Sequence, residues 1–198
     1  MMNAKDYLGM AYRIDQRIAS KNEQMVSLNA IATNATSTIS DMPGSATRNI
    51  HKMEDVIVKI IDLQESIAYD LDRLVEFKAE ITNMIKRIDN LEHQTVLELR
   101  YLCFTPWEQI AIKMNYGVQN VFRYHRLALG DMDTLLAELD ATLNEAYEEA
   151  VKESDENKTL DSIYEFEDSL EEYIGFPAFL IDEYVAKVRT YEAQFTKV

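Results

Sequence analysis

The side chains best suited to chemistry in this sequence lie between Lys113 and Arg126: Lys113, Gln119, Asn120, Arg123, His125 and Arg126. Asn and Gln amides match the donor–acceptor edges of bases, Arg matches guanine and phosphate, and Lys binds phosphate as a point charge. Gln119, Asn120 and Arg123 are therefore expected to read base edges of double-stranded DNA. Lys113 and Arg126 are expected to position the backbone, and His125 to reach a phosphate.

These residues need a scaffold, and the stretch from Thr95 to Leu129 reads as one: three short helical runs joined by tight turns. Thr105 can cap the middle run, Pro106 suits its first position, and Glu108 can close a capping box. Ile110, Ala111 and Met114 mark a buried face. Asn115 tolerates the left-handed backbone that ends a helix, and Gly117 can begin the next. Ala111, Asn115 and Val121 fall where a helix-turn-helix needs a small residue, a left-handed residue and a buried aliphatic. The alternative is an ordinary helical hairpin in a core. Trp107 and Phe104 read as core beneath the motif, and Arg100 as a partner for Glu108.

The segment LELRYLCFTPWEQIAIKMNYG…VFRYHRLAL resembles region 4 of bacterial sigma factors. It is similar, more closely, to a family of small prophage proteins with a sigma-region-4-like ending, akin to phage late-transcription regulators. Upstream, SDMPGSATRNIHKMEDVIVKIIDL resembles that family's loop and second helix. The resemblance covers roughly residues 3–130 and implies DNA binding and transcriptional control. It departs in one respect: few basic residues flank the recognition helix. It says nothing of the last third.

That last third carries the charge. Residues 131–198 hold five basic and nineteen acidic side chains, a net of −14 out of −15 for the chain. The remainder is near neutral, so the parts can have different partners. Glu145, Glu148, Glu149, Glu153, Asp155 and Glu156 form one cluster, and Glu165, Glu167, Asp168, Glu171 and Glu172 another. Carboxylates on helices interleaved with Tyr and Phe can imitate the phosphate track of a duplex and occupy a basic groove of a nuclease or polymerase. The plainer reading is a solvated face that keeps the protein soluble. A third is that the acidic part covers the recognition helix.

Periodicity sets the architecture. Tyr7, Ile14, Lys21 and Leu28, with Ala11, Ile18, Met25 and Ala32, form a heptad seam from about 3 to 32 that Lys21 interrupts. Thr33–Asn49 reads as a loop with a tight turn at Asp41–Gly44. From about 50 to 90, Met53, Ile60, Ile67, Leu74, Ile81 and Ile88 recur every seven residues, with Ile57, Leu71 and Ile85 as a second line. An antiparallel hairpin with residual apolar surface follows, and with it a homodimer. The third helix can run on through Gly130, or kink or end there; residues 154–158 read as a polar break, and Thr159 as a helix cap. Leu160, Ile163, Phe166, Leu170 and Tyr173 face inward, Ile174–Pro177 turns, and Ile181, Tyr184, Val185, Val188, Tyr191 and Phe195 line a last helix.

The expectation is an all-α protein: a long antiparallel hairpin over 1–91, a helix-turn-helix over 92–130, and an acidic helical region over 131–198. The single cysteine, Cys103, excludes an internal disulfide and reads as a buried thiol in a reducing compartment. No apolar run suits a membrane span, and the N-terminus lacks the pattern of a signal peptide. A site in the host bacterial cytoplasm is expected. His51, His93 and His125 are scattered, without metal-ligand spacing, and read as surface or capping histidines. The paired acids lack the alternation of a calcium loop. No cofactor or metal is expected, and no enzyme, because no nucleophile or acid–base constellation can be assembled.

Two functions follow. One is a phage-type DNA-binding transcription regulator. The other is a phage anti-defence inhibitor of the anti-CRISPR type, whose acidic helices block a basic surface of a host nuclease. A structural coiled-coil adaptor is a plainer third.

Overall fold

The computed structural model describes residues 2–37, 46–173 and 175–195. It is all-α, with no strand among the described residues. The helices are α1 (Ala4–Ser37), α2 (Ala46–Ile85), α3 (Leu91–Leu97), α4 (Trp107–Met114), α5 (Val118–Asn157), α6 (Asp161–Ser169) and α7 (Ala178–Phe195). A π-helical turn, Glu98–Leu102, extends α3, and a 3₁₀ turn, Leu170–Glu172, extends α6. The expected tight turn at Asp41–Gly44 lies outside the described residues.

The chain divides into two compact units, Gly9–Lys78 and Met1–Leu8 with Ala79–Val198. Both α1 and α2 thus pass from one unit into the other.

The Gly9–Lys78 unit is an antiparallel helical hairpin. Ala11, Ile14, Ile18, Ile67 and Leu74 are buried along its seam. Lys21 interrupts that seam for a visible reason. Its Nζ lies 2.6 Å from Asp70 Oδ2 and also donates to the Ser66 hydroxyl. Arg17 Nε donates to Asp70 as well, at 2.8 Å. Asp70 is 1 % exposed, so the two cations neutralise a carboxylate that water cannot reach. Burial pushes its carboxyl up, but the bonds and charges of Lys21 and Arg17 outweigh that and hold it below the usual carboxylate value. The second apolar line does not behave as one: Ile85 is buried, whereas Ile57 and Leu71 are exposed.

The other unit is built on α5. Val121, Ala128, Met132, Leu136, Leu139, Leu143 and Ala150 bury one stripe of it. The helix runs unbroken through Gly130, so of the alternatives there the chain takes the continuous one. The break expected at 154–158 is shorter than the polar composition implied. Ser154 is buried within α5, and the helix closes at Lys158 in the left-handed conformation, φ 55°. Thr159 does not cap α6; Leu160 occupies that position without a side-chain bond.

The acidic third folds against α5. Ile163, Phe166, Leu170, Leu180, Tyr184 and Val188 are buried. The Tyr184 hydroxyl donates to the Asp140 carbonyl at 3.0 Å, and the Tyr191 hydroxyl to Asp155 Oδ1 at 2.7 Å. Gly175 turns the chain toward α7 at φ 88°, where a side chain would be strained. The N-terminal turn of α1 belongs to the same unit: Glu80 accepts from the Tyr7 hydroxyl at 2.6 Å and from the Ala178 amide at 3.1 Å. Tyr7 and Phe179 rings sit 5.3 Å apart.

Candidate nucleic-acid interface

Asn90 opens α3 by accepting from the His93 amide at 3.0 Å. His93 is buried rather than superficial, and its Nδ1 lies 2.5 Å from Asp131 Oδ2 on α5. This contact ties α3 across to α5. Nothing in the sequence spacing of His93 and Asp131 signals it.

After the π-helical turn the chain reverses at Phe104, φ 52°. Thr105 then donates its amide to the Leu99 carbonyl at 2.9 Å and is buried. The expected capping box does not form: Pro106, not Thr105, is the N-cap of α4, and no side chain caps it. Thr105 is committed backward to the preceding turn. Arg100 does not reach Glu108 either. Its guanidinium stacks 4.5 Å from the Trp107 ring and donates to the Thr105 carbonyl at 3.3 Å.

The turn after α4 follows the sequence expectation. Asn115 is left-handed, φ 56° and ψ 41°. The Tyr116 amide donates to Ala111 and the Asn115 amide to Ile112, at 3.0 and 3.1 Å, a Schellman closure. Gly117 caps α5 in extended backbone, φ −68°, so its conformation does not demand glycine. Ala111 and Val121 are buried. Buried Ala111 and Val121 thus flank the left-handed Asn115 where α4 turns into α5.

Gln119, Asn120, Arg123 and Arg126 are all exposed, as is Lys113 on α4. At about 100° per residue, Gln119, Arg123 and Arg126 fall within about 60° of one another, on the side of α5 away from Val121. The acidic helices do not cover them. Arg123 lies over the Tyr124 ring at 5.3 Å.

His125 departs from its expected place toward a phosphate. Its Nε2 meets the Tyr101 hydroxyl at 3.0 Å, and its ring stands edge-on to Trp107 at 4.8 Å. Burial, then the nearby charges of Arg100 and Lys5, lower its pKa to about 4. A neutral, half-buried imidazole bonded inward is a packing group. Trp107, Phe122, Tyr101 and His125 form the aromatic support under the turn, with Trp107 and Phe122 at 5.0 Å. Cys103, expected to be buried, is exposed.

The acidic candidates separate by type. On α5, Glu148, Glu149 and Glu153 are exposed, as are Glu165, Asp168, Glu171 and Glu172 beyond it, while Glu167 is half-buried. The α5 aspartates are used internally: Asp131 by His93, Asp133 by the Ala4 amide at 2.6 Å, Asp140 by Tyr184 and Asp155 by Tyr191. Among the described residues no group of three His, Cys, Asp or Glu side chains could hold a metal ion. No helix among them is long and apolar enough to cross a membrane.

The family model described as "Protein of unknown function (DUF1492)" matches residues 35–133, half of the chain. The chain belongs to this family. The DUF1492 match takes in α4, the turn and the first part of α5, where it ends, so most of the acidic helical region lies beyond it. No curated protein and no solved structure matches the chain.

Proposed function

We propose that this chain is a phage-type DNA-binding transcription regulator, working in the host bacterial cytoplasm without catalytic activity or cofactor. Its α4–turn–α5 segment acts as a helix-turn-helix of the sigma-region-4 kind. The observation that carries the reading is the exposed strip of Gln119, Arg123 and Arg126 at the start of α5, flanked by the exposed Asn120, shortly after the left-handed Asn115. An α-helix with this strip fits the major groove, where amide and guanidinium groups pair with base edges. Gln119, Asn120 and Arg123 supply specificity; Arg126 and Lys113 hold phosphates. His125 braces the helix from behind.

Selection of full-length protein on random duplexes tests this. The reading expects an enriched motif that blurs when Gln119 or Asn120 is replaced by Ala. Enrichment of no motif counts against it.

One observation favours a second reading, an anti-defence inhibitor of the anti-CRISPR type. The α5 aspartates are spent on internal bonds while Glu148, Glu149 and Glu153 remain exposed, outside the DUF1492 match. An anionic helical surface suits the basic groove of a host nuclease or polymerase. Full-length protein would then displace nucleic acid from such an enzyme, and Glu148→Lys with Glu149→Lys and Glu153→Lys would abolish the effect. Equal displacement by the variant removes this reading.

A further inference from the structure

We infer that Phe122 and Val118 give the start of α5 a preference for thymine, by packing on its 5-methyl group in the major groove. This rests on the DNA-reading proposal above and adds a contact that amides and guanidinium groups do not supply. Position is the first observation behind it. Taking Val118 as zero and about 100° per residue, Phe122 falls near 40°, Arg126 near 80°, Gln119 near 100° and Arg123 near 140°. Buried Val121 falls near 300°. Phe122 thus stands about 40° from Arg126, and Val118 lies one turn before Phe122 at the same margin of the polar strip.

Exposure is the second observation. Phe122 is 47 % exposed and Val118 37 %, although both are apolar and Val121 between them is fully buried. Phe122 is nevertheless held in place. Its ring centroid lies 5.0 Å from that of Trp107. Trp107 in turn is flanked by the Arg100 guanidinium at 4.5 Å and by the edge-on His125 ring at 4.8 Å. A side chain fixed in this way has little rotamer freedom left to lose when it meets a ligand.

The chemistry of the occupant follows from what a major groove displays. Base edges there present hydrogen-bond donors and acceptors and one protruding apolar group, the thymine methyl. Gln119, Asn120 and Arg123 match the donors and acceptors. An aromatic ring and a branched aliphatic at the margin of the same strip match the methyl. Against any other base edge they would bury a polar group without a partner, which costs free energy. Val118 and Phe122 are four residues apart, about 6 Å along the axis, so they meet different base pairs.

Selection on random duplexes with the full-length protein supplies the probe, and replacing each dT of the recovered motif by dU removes only the methyl group. Wild type is expected to lose affinity roughly fourfold at one or two of these positions, the effect of burying one methyl group. Phe122→Ala, or Val118→Ala, is expected to bind the dT and dU duplexes alike at one such position. Ile112→Ala removes an apolar side chain that is 79 % exposed on α4, and should keep the full discrimination. The wild-type comparison needs no variant, so it holds even where Phe122→Ala loosens the turn. Equal binding of dT and dU duplexes by wild type overturns the inference and leaves the DNA reader standing. A motif that prefers no A·T pair, discrimination unchanged in both Phe122→Ala and Val118→Ala, or discrimination lost in Ile112→Ala does the same. Binding to no duplex at all overturns both.

Discussion

The Tyr101 hydroxyl and His125 Nε2 lie 3.0 Å apart and join the π-helical turn to the first turns of α5. The contact turns His125 inward, where burial favours the neutral ring and lowers its pKa to about 4 from 6.5. A folded-state pKa below the unfolded one means that the unfolded chain binds the proton more readily. Stability is therefore full above pH 6.5 and declines as pH falls toward 4. His125→Gln keeps a hydrogen-bonding group but cannot titrate. Its melting temperature is expected to change less than that of the wild type between these values. An unaltered pH dependence would show that the ring is not kept neutral.

Asp70 sets a second, more acid limb. Its folded pKa lies below the ordinary 3.8, so its contribution is present above pH 3.8 and is lost as pH falls through the folded value. Asp70→Asn leaves Lys21 and Arg17 facing a neutral amide. The cations it leaves are partly hydrated, Arg17 being half-exposed, so a loss of about 1.5–3 kcal/mol is expected, the range for hydrogen bonds to charged groups. Denaturant unfolding at pH 7 measures it. Lys21→Met should cost less, because Arg17 remains to neutralise the carboxylate.

Glu80 joins three parts of one unit through the Tyr7 hydroxyl and the Ala178 amide. Burial first, then the Glu80 charge and bond, raise the Tyr7 pKa well above the usual tyrosine value. Tyr7→Phe keeps the ring packing on Phe179 and deletes the bond. A loss of about 1.5–3 kcal/mol is expected, the range for a hydrogen bond to a charged group, read by urea unfolding. No loss would mean that the ring alone anchors α1.

Much of this fold is legible in the sequence because it rests on periodicity. The seven-residue lines through Ile14 and Ile67 produce buried seams, and the spacing of Ala111, Asn115 and Val121 gives the turn between α4 and α5. Features that rest on long-range polar partners are not legible. Thr105 looked like a cap because its type and its spacing from Glu108 are right. It fails as one because α4 begins one residue later, with Pro106 as its N-cap. His125 looked like a phosphate contact because its position on α5 is close to Arg126. The Tyr101 hydroxyl, far away in sequence, decides its direction. Lys21 looked like a defect in a seam until Asp70 supplied its partner. Gly130 left room for a break and Ser154 looked like one, because local propensity weighs against helix there, but the stripe from Val121 to Ala150 outweighs it.

Salt-dependent duplex binding by the full-length protein is the most direct test of the proposed DNA-reading surface. The account predicts binding at ~50 mM salt that weakens steeply as salt rises, because each neutralised phosphate contributes a slope of about −0.9. Arg126→Ala should lower that slope by about one, and Arg123→Ala should cost about 1–3 kcal/mol at the preferred sequence. Absence of duplex binding at ~50 mM salt, or wild-type affinity in the Arg123→Ala, Arg126→Ala double variant, would contradict it.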